Sequence, residues 1–381
     1  MHGLLYHKKY MIKYAGMDSV KTLLRGVFEA KEEAFKALMK LLGLPFEESR
    51  EILYFADSVR EKFCGQGILL RAIVEFSNYC KNGCHYCGLN AGNKKAVRYR
   101  MNETEIFEAA KAVREAGIKT VVLQSGEDSG YDWDMLTHTV KKIKKELAIR
   151  VTLSCGEQKE SLYGQWKKAG ADRYLLKIET SNKELYGRLH PAMSFENRLN
   201  CLRALKKLGF QTGSGMIVGL KGQTKEDIAK DILFFAKENF DMIGINPFIA
   251  HPQSVLKDHP GGDCGLALKT VALTRIITKN AHLPATTALG SIGRTDLRIA
   301  ALKAGANVIM PNFTPYKYRK LYEIYPGKRC VAEKGDIAAL INKISAQTGR
   351  PPDFSEGDSL KSGPGSDWRP ASQRRKKQAD G

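Results

Sequence analysis

No apolar run in this 381-residue chain approaches the roughly 20 residues that a helix needs to cross a bilayer. The first residues, MHGLLYHKKYMIKYAGM, lack the continuous apolar core and small-residue cleavage site of a secretory signal. A secreted disulfide framework is also missing: of eight cysteines, three are clustered and five (Cys64, Cys155, Cys201, Cys264, Cys330) are scattered. A cytoplasmic protein without a membrane partner is the expectation. Acidic residues are the scarcer charge, 41 against 61 basic ones, giving a net charge of +20. The basic residues are spread out, as in Lys141–Lys142, Lys144–Lys145 and Lys206–Lys207 on amphipathic stretches, and read as solvated helix faces. The one compact basic run, Arg374–Lys377, lies near the terminus. No nucleic-acid partner is expected; the positive field suits acidic proteins or anionic substrates.

With 43% hydrophobic residues the chain can bury a large core. From about 68 to 325, short β-branched runs alternate with longer amphipathic ones. Strands are expected at Ile68–Ser77, Thr120–Ser125, Val151–Ser154, Tyr174–Thr180, Thr212–Val218, Met242–Ile249, Ala285–Leu289 and Asn307–Asn312. Between them, EAGIKT, KAGADRY, KLGFQT and KAGANVI each place a glycine where a helix stops and a strand starts. Eight strands alternating with helices imply parallel pairing, since each crossover carries a helix. The expected fold is α/β, a (β/α)8 TIM barrel over residues 68–348. A flexible extension at 1–17, a helical preface at 18–67 and a disordered Pro/Gly/Ser-rich basic tail at 349–381 flank it.

Active sites of such barrels lie at the C-terminal ends of the strands. The first strand ends in SNYCKNGCHYCGLN, where Cys80, Cys84 and Cys87 are spaced C-x3-C-x2-C. Three close thiolates can hold three irons of a four-iron cluster and leave the fourth open to a ligand. Structural zinc would need a fourth ligand, usually as a second pair, and only His85 is near. An open iron suits a chelating amine and carboxylate, such as the methionine part of S-adenosylmethionine. Other strand ends carry Gln124-Ser125-Gly126-Glu127, Ser154, Glu179-Thr180, Asn246 and Thr286-Thr287. Glu179 could accept amine or hydroxyl donors or merely pair with a lysine. Arg198 could clamp a carboxylate or simply sit on an amphipathic helix.

The cysteine loop at this position resembles the signature of the radical S-adenosylmethionine superfamily. CKNGCHYCGLN, RYRM (98–101), VLQSGED (122–128), ADRYLLKIET (171–180), SFENRLNCL (194–202), PATTALG (284–290), NVIMPNFTP (307–315) and LYEIYPGK (321–328) are more closely similar to the radical S-adenosylmethionine maturases of iron–iron hydrogenase, the HydE family. These are relatives of biotin synthase and methylornithine synthase. The resemblance implies a barrel with an internal cavity and one 4Fe–4S cluster on Cys80, Cys84 and Cys87. It implies S-adenosylmethionine held by Glu179 and Arg198, with Gly126-Glu127 receiving the amino group and Gln124 beside them. Arg71, Thr152, Ser154, Thr286, Thr287, Met310, Tyr322 and Tyr325 would line a substrate cavity. The implied activity attacks the sulfur of an iron–cysteine complex bearing carbon monoxide and cyanide, during assembly of the hydrogenase H-cluster. Other maturation proteins and an external electron donor are the implied partners.

Two features depart from the family pattern. Members with a second cluster carry three cysteines after YPGK; here Cys330 stands alone, with Ala338 and Ile341 at the other positions. No accessory cluster is expected. Lys177 stands in LLKIET where the family has arginine, keeping the charge but losing the planar fork. Cys155 is read as structural. Other readings are methylornithine synthase, another biotin-synthase-like enzyme, or a non-catalytic scaffold with a structural metal. Biotin synthase itself would need ligands for a second cluster in the barrel, and no such cysteine pattern is present.

Overall fold

The computed structural model describes residues 17–30, 33–292, 296–327 and 334–361. The expectations placed on residues 1–16, on Cys330 and on 362–381 fall outside them. Three helices come first, α1 (Met17–Glu29), α2 (Ala34–Gly43) and α3 (Arg50–Cys64). The alternating part then runs β1 (Ile68–Leu70), β2 (Ala72–Ser77), α4 (Glu103–Glu115), β3 (Thr120–Ser125), α5 (Trp133–Leu147), β4 (Arg150–Ser154), α6 (Glu160–Lys168), β5 (Arg173–Leu175), α7 (Lys183–Leu189), α8 (Phe195–Lys207), β6 (Gln211–Val218), α9 (Lys225–Glu238), β7 (Met242–Pro247) and α10 (Cys264–Thr278). It ends with α11 (Thr287–Ser291), α12 (Arg298–Lys303), β8 (Val308–Ile309), α13 (Tyr316–Arg319), α14 (Lys334–Thr348) and β9 (Pro352–Asp353).

Strands β2 to β7 pair in sequence order, all parallel. The ring closes through residues 282–285. The Ile243 N–H donates to the His282 carbonyl, and Ala285 N–H to that of Val308, both at 2.9 Å. β8 then pairs with β1, and Ile73 bridges Asn312, which returns the ring to β2. The molecule is therefore an α/β barrel of eight parallel positions. The seventh is not the strand expected at Ala285–Leu289: pairing stops at Ala285 and α11 begins at Thr287. Pro284 has no N–H to donate, so only isolated bridges form there.

Local chemistry explains the helix ends. Asn102 and Thr224 close capping boxes on α4 and α9, and Asp132, Asn182, Ser194 and Asp263 accept a backbone N–H at the starts of α5, α7, α8 and α10. The helix-stop glycines Gly117, Gly170, Gly209 and Gly305 all have positive φ, between 78° and 102°. Helix α10 is buried on all sides because it is sandwiched between the barrel and the first three helices. Its two buried cations are satisfied by carbonyls: Lys269 donates to Leu42 and Leu44, and Arg275 to Gly305 and the Asn307 side chain.

Past Gly349, where the composition points to a disordered tail, the chain stays packed through Lys361. β9 pairs with β1, and residues 356–359 cross the N-terminal end of the barrel. Arg71 donates to the Gly357 carbonyl at 2.8 Å, Arg173 to the Asp358 carboxylate at 2.6 Å, and Arg150 to its other oxygen at 2.8 Å. The His282 ring meets the Asp358 carbonyl at 3.0 Å. These partners come from four distant strand positions, so no local pattern announces the order of this segment. Among the described residues no helix is long and apolar enough to cross a membrane.

Candidate functional site

β2 ends at Ser77, and the cysteine loop turns back across the end of β3. Gly126 permits this crossing: a Cβ there would collide with the Tyr79 carbonyl oxygen and come within 2.9 Å of Cys80 Cβ. Its own N–H donates to the Ser77 carbonyl at 3.0 Å. The loop is pinned from several sides. Lys81 N–H reaches the Glu127 carbonyl at 2.9 Å, Gly88 N–H that of Ile324 at 2.9 Å, and His85 N–H that of Leu189 at 3.0 Å. Arg98 donates to the carbonyls of Asn78, Leu89 and Asn90. Tyr86 hydroxyl meets His190 Nε2 at 2.8 Å, while His190 Nδ1 donates to the Tyr186 carbonyl at 2.9 Å.

Cys80, Cys84 and Cys87 border one cavity of about 310 Å³ at the C-terminal end of the barrel. Burial and mutual repulsion between the sulfurs push the Cys84 thiol up to about 12 and raise that of Cys87. Burial also raises that of Cys80, opposed by backbone N–H groups of Asn82 and Glu127 directed at its sulfur. Cationic iron would displace these protons and hold the sulfurs as thiolates, and N–H groups aimed at sulfur favour the thiolate. Among the described residues, no three Cys, His, Asp or Glu side chains are grouped as one metal ion would need. A cluster spreads its ligands, one sulfur to each iron, so the donor set fits a 4Fe–4S group better than zinc.

Glu179 follows β5 at φ 65°, a left-handed backbone rare for a side-chain-bearing residue. Its N–H donates to the Gly215 carbonyl at 2.9 Å, and its carboxylate lies 2.9 Å from Lys177 Nζ. Arg198, in the first turn of α8, donates to Glu157 at 2.6 Å and to the Lys177 carbonyl at 2.6 Å. Both side chains border the cavity, with Gln124, Ser125, Glu127 and Ser154. The Glu127 carboxylate already accepts the Glu157 N–H at 2.9 Å and faces Lys81 Nζ at 3.1 Å. It therefore braces the neighbouring loop as well as the cavity wall.

Thr286, Thr287, Met310 and Tyr325 line the same cavity, and Thr287 Oγ1 meets the Tyr325 hydroxyl at 2.5 Å. Three expected lining residues do not border it. Arg71 lies beneath, its guanidinium 3.0 Å from the sulfur of Met242, which forms the cavity floor. Thr152 is buried within β4. Tyr322 stands behind Gln124, whose amide donates to its hydroxyl at 3.1 Å. The resemblance that implied these three positions does not say how deep the cavity reaches. The Cys155 side chain is fully buried in the core, away from the cavity.

Two cavity residues escaped the sequence reading. Glu75, inside β2 and 1% exposed, accepts from the Asn312 amide at 3.0 Å. A glutamate within the apolar run AIVEFS was the available signal. Lys177 stands out in the sequence only as a departure from the family's arginine. Here its ammonium reaches into the cavity over Gly215, where a Cβ would come within 2.8 Å of Lys177 Cε.

Residues 74–235 match the Radical SAM superfamily. The FeFe hydrogenase maturase subunit HydE of Thermotoga maritima is 49% identical over 327 residues, covering 85% of this chain and 93% of that protein. The 3-methylornithine synthase of Methanosarcina acetivorans is 30% identical over 302 residues, 78% of this chain and 85% of that one. Among solved structures, methylornithine synthase superposes with a TM-score of 0.75 at 26% identity, covering 88% of this chain and 98% of that one. HydG, a maturase of the FeFe hydrogenase, superposes with a TM-score of 0.76 at 20% identity over 90% and 78%, a likeness of fold.

Proposed function

Because the chain belongs to the HydE family of radical S-adenosylmethionine maturases of FeFe hydrogenase, we propose that it acts on an iron–cysteine complex bearing carbon monoxide and cyanide during H-cluster assembly. The observation that carries this reading is the convergence of Cys80, Cys84, Cys87, Glu179 and Arg198 on one cavity whose lining is largely apolar.

When bound, a reduced 4Fe–4S cluster supplies the electron that splits a carbon–sulfur bond of S-adenosylmethionine and releases a 5′-deoxyadenosyl radical. This chain's residues do the rest. Cys80, Cys84 and Cys87 supply the three thiolates. Glu179 offers a carboxylate to amine or ribose hydroxyl donors, exchanging its Lys177 partner for them. Arg198, held at Nε by Glu157, is oriented toward a carboxylate on its cavity side. Gly126 keeps the cysteine loop close to β3. Further in, Ser154, Thr286 and Thr287 offer hydroxyls to cyanide nitrogen or carboxylate oxygen, and Lys177 offers charge. Met310, Ile73, Leu175 and Ile217 make the wall dry, which limits quenching of a reactive species by water. One cluster, on these three sulfurs, is the proposed complement; other maturation proteins and an external electron donor are the proposed partners.

The test is anaerobic reconstitution with iron and sulfide, reduction, and addition of S-adenosylmethionine. The expected product is 5′-deoxyadenosine; the absence of both a cluster spectrum and cleavage would end the enzyme reading. Addition to a cell-free hydrogenase maturation mixture should then restore hydrogenase activity. The likeness to methylornithine synthase favours a second reading: failure in that mixture, with conversion of lysine to methylornithine, would establish it instead.

A further inference from the structure

Glu179 is held in its left-handed backbone by something, because a side-chain-bearing residue relaxes out of that region when free to do so. The three residues that follow it, Thr180, Ser181 and Asn182, form the turn into α7, and each is tied down. Asn182 N–H donates to Thr180 Oγ1 at 3.2 Å, and Asn182 Oδ1 caps α7 by accepting the Leu185 N–H at 3.1 Å. The other ties lead to helix α9, one crossover further along the chain. Asp231 Oδ1 accepts both the Ser181 N–H and the Ser181 hydroxyl, the latter at 2.5 Å. Asp227 Oδ1 accepts from the Asn182 amide at 2.7 Å, while its other oxygen closes the capping box at Thr224.

Every hydrogen bond that Asp231 makes goes to this turn. It is fully buried, and burial pushes its carboxyl up to about 7, opposed by the Ser181 hydrogen bonds. A buried carboxyl so poorly compensated opposes folding whenever it is charged. It makes no contact with the cavity. What it does is fix the backbone two residues after a cavity carboxylate.

We propose that Asp231 is a positioning residue for S-adenosylmethionine binding: through Ser181 it anchors the turn that holds Glu179 in its left-handed conformation, facing the cofactor. Asp227 supports the same turn through Asn182. The effect runs through Glu179, and so rests on the reading that Glu179 contacts the cofactor. Loss of the anchor lets Glu179 relax, and the carboxylate swings away from its position above Gly215.

The experiment measures the affinity of the reconstituted, cluster-loaded protein for S-adenosylmethionine by anaerobic titration calorimetry, with iron content confirmed for each variant. Glu179→Gln tests the cofactor reading itself, and unchanged affinity there would overturn that reading whatever Asp231 does. Given weakened binding in Glu179→Gln, Asp231→Ala is expected to weaken binding about tenfold or more. Asp231→Asn keeps an acceptor for the Ser181 donors and should retain affinity within about threefold of the parent. Unchanged affinity in Asp231→Ala, or equal loss in Asp231→Asn, would overturn the positioning role. If Asp231→Ala does not fold, Ser181→Ala removes one of the two hydrogen bonds and should weaken binding by a few fold. No loss in that variant likewise overturns the proposal. A purely structural role would lower the unfolding temperature of Asp231→Ala and leave its affinity unchanged.

Discussion

His190 gives the clearest quantitative prediction, because a single buried imidazole carries opposed hydrogen bonds whose sense fixes its protonation. Nδ1 donates to the Tyr186 carbonyl, so Nε2 must accept from the Tyr86 hydroxyl, and the ring stacks on Tyr186 at 4.1 Å between centroids. Burial and then the nearby Arg198 push its pKa from 6.5 down to about 3. The unfolded imidazole takes up a proton as pH falls below about 6.5, while the folded one stays neutral until about 3. Stability from the neutral form is therefore complete above pH 6.5 and is lost progressively as pH falls toward 3. At 1.36 kcal/mol per pH unit, the loss between pH 7.5 and pH 5 is about 2 kcal/mol from this residue. His190→Gln keeps a donor and an acceptor but does not titrate. Urea unfolding of metal-free protein at both pH values should show that the parent loses about 2 kcal/mol more than the variant over this interval. Equal losses in both proteins would refute the assignment of a buried neutral imidazole.

Three further predictions concern the site and its frame. Cys84→Ala should lose bound iron on reconstitution while Cys330→Ala retains the full parental content, read by iron assay and visible absorption; equal loss in both would mean that a second cluster exists. Gly126→Ala forces the cysteine loop off the end of β3, and overpacking of this kind costs roughly 1–3 kcal/mol; iron uptake should fall along with the denaturation midpoint, and normal uptake would contradict the close approach to Tyr79. Asp358→Ala removes the carboxylate facing buried Arg173, which keeps its hydrogen bonds to Gln211, Thr120 and the Glu356 carbonyl. A loss of about 1–3 kcal/mol is expected by chemical denaturation, and no change would mean that the segment crossing the barrel end contributes nothing to its closure.

Much of the barrel was legible because its signals are local. Helix-stop glycines, capping residues and β-branched runs each act within a few residues, and Gly117, Gly170, Gly209 and Gly305 show the backbone that the pattern demands. The cysteine loop was equally local, and its position after an apolar strand placed it at the catalytic end. What escaped depends on distance in the chain. The order of residues 350–361 comes from Arg71, Arg150, Arg173 and His282, whose side chains converge only after the ring has closed. The seventh position misled because PATTALG is β-branched at its centre, yet the residue before Ala285 cannot donate a hydrogen bond and the run from Thr287 turns helical. Arg71, between β1 and β2, lies beneath Met242, and Thr152 is buried within β4. How far the cavity reaches depends on how the strands stagger, which no spacing encodes. Asp231 belongs to no sequence motif; only its contact with Ser181 sets it apart.

The segment that crosses the barrel end has a consequence for synthesis. Arg71 meets Gly357 286 residues later, so the two partners leave the ribosome far apart in time. At roughly 5–20 residues per second, Arg71 waits on the order of 14–57 seconds for that carbonyl. Until that segment emerges, Arg71, Arg150 and Arg173 each lack one acceptor that the finished barrel gives them. Released chains that end before Pro352 should therefore be far more sensitive to protease than chains that extend past Lys361.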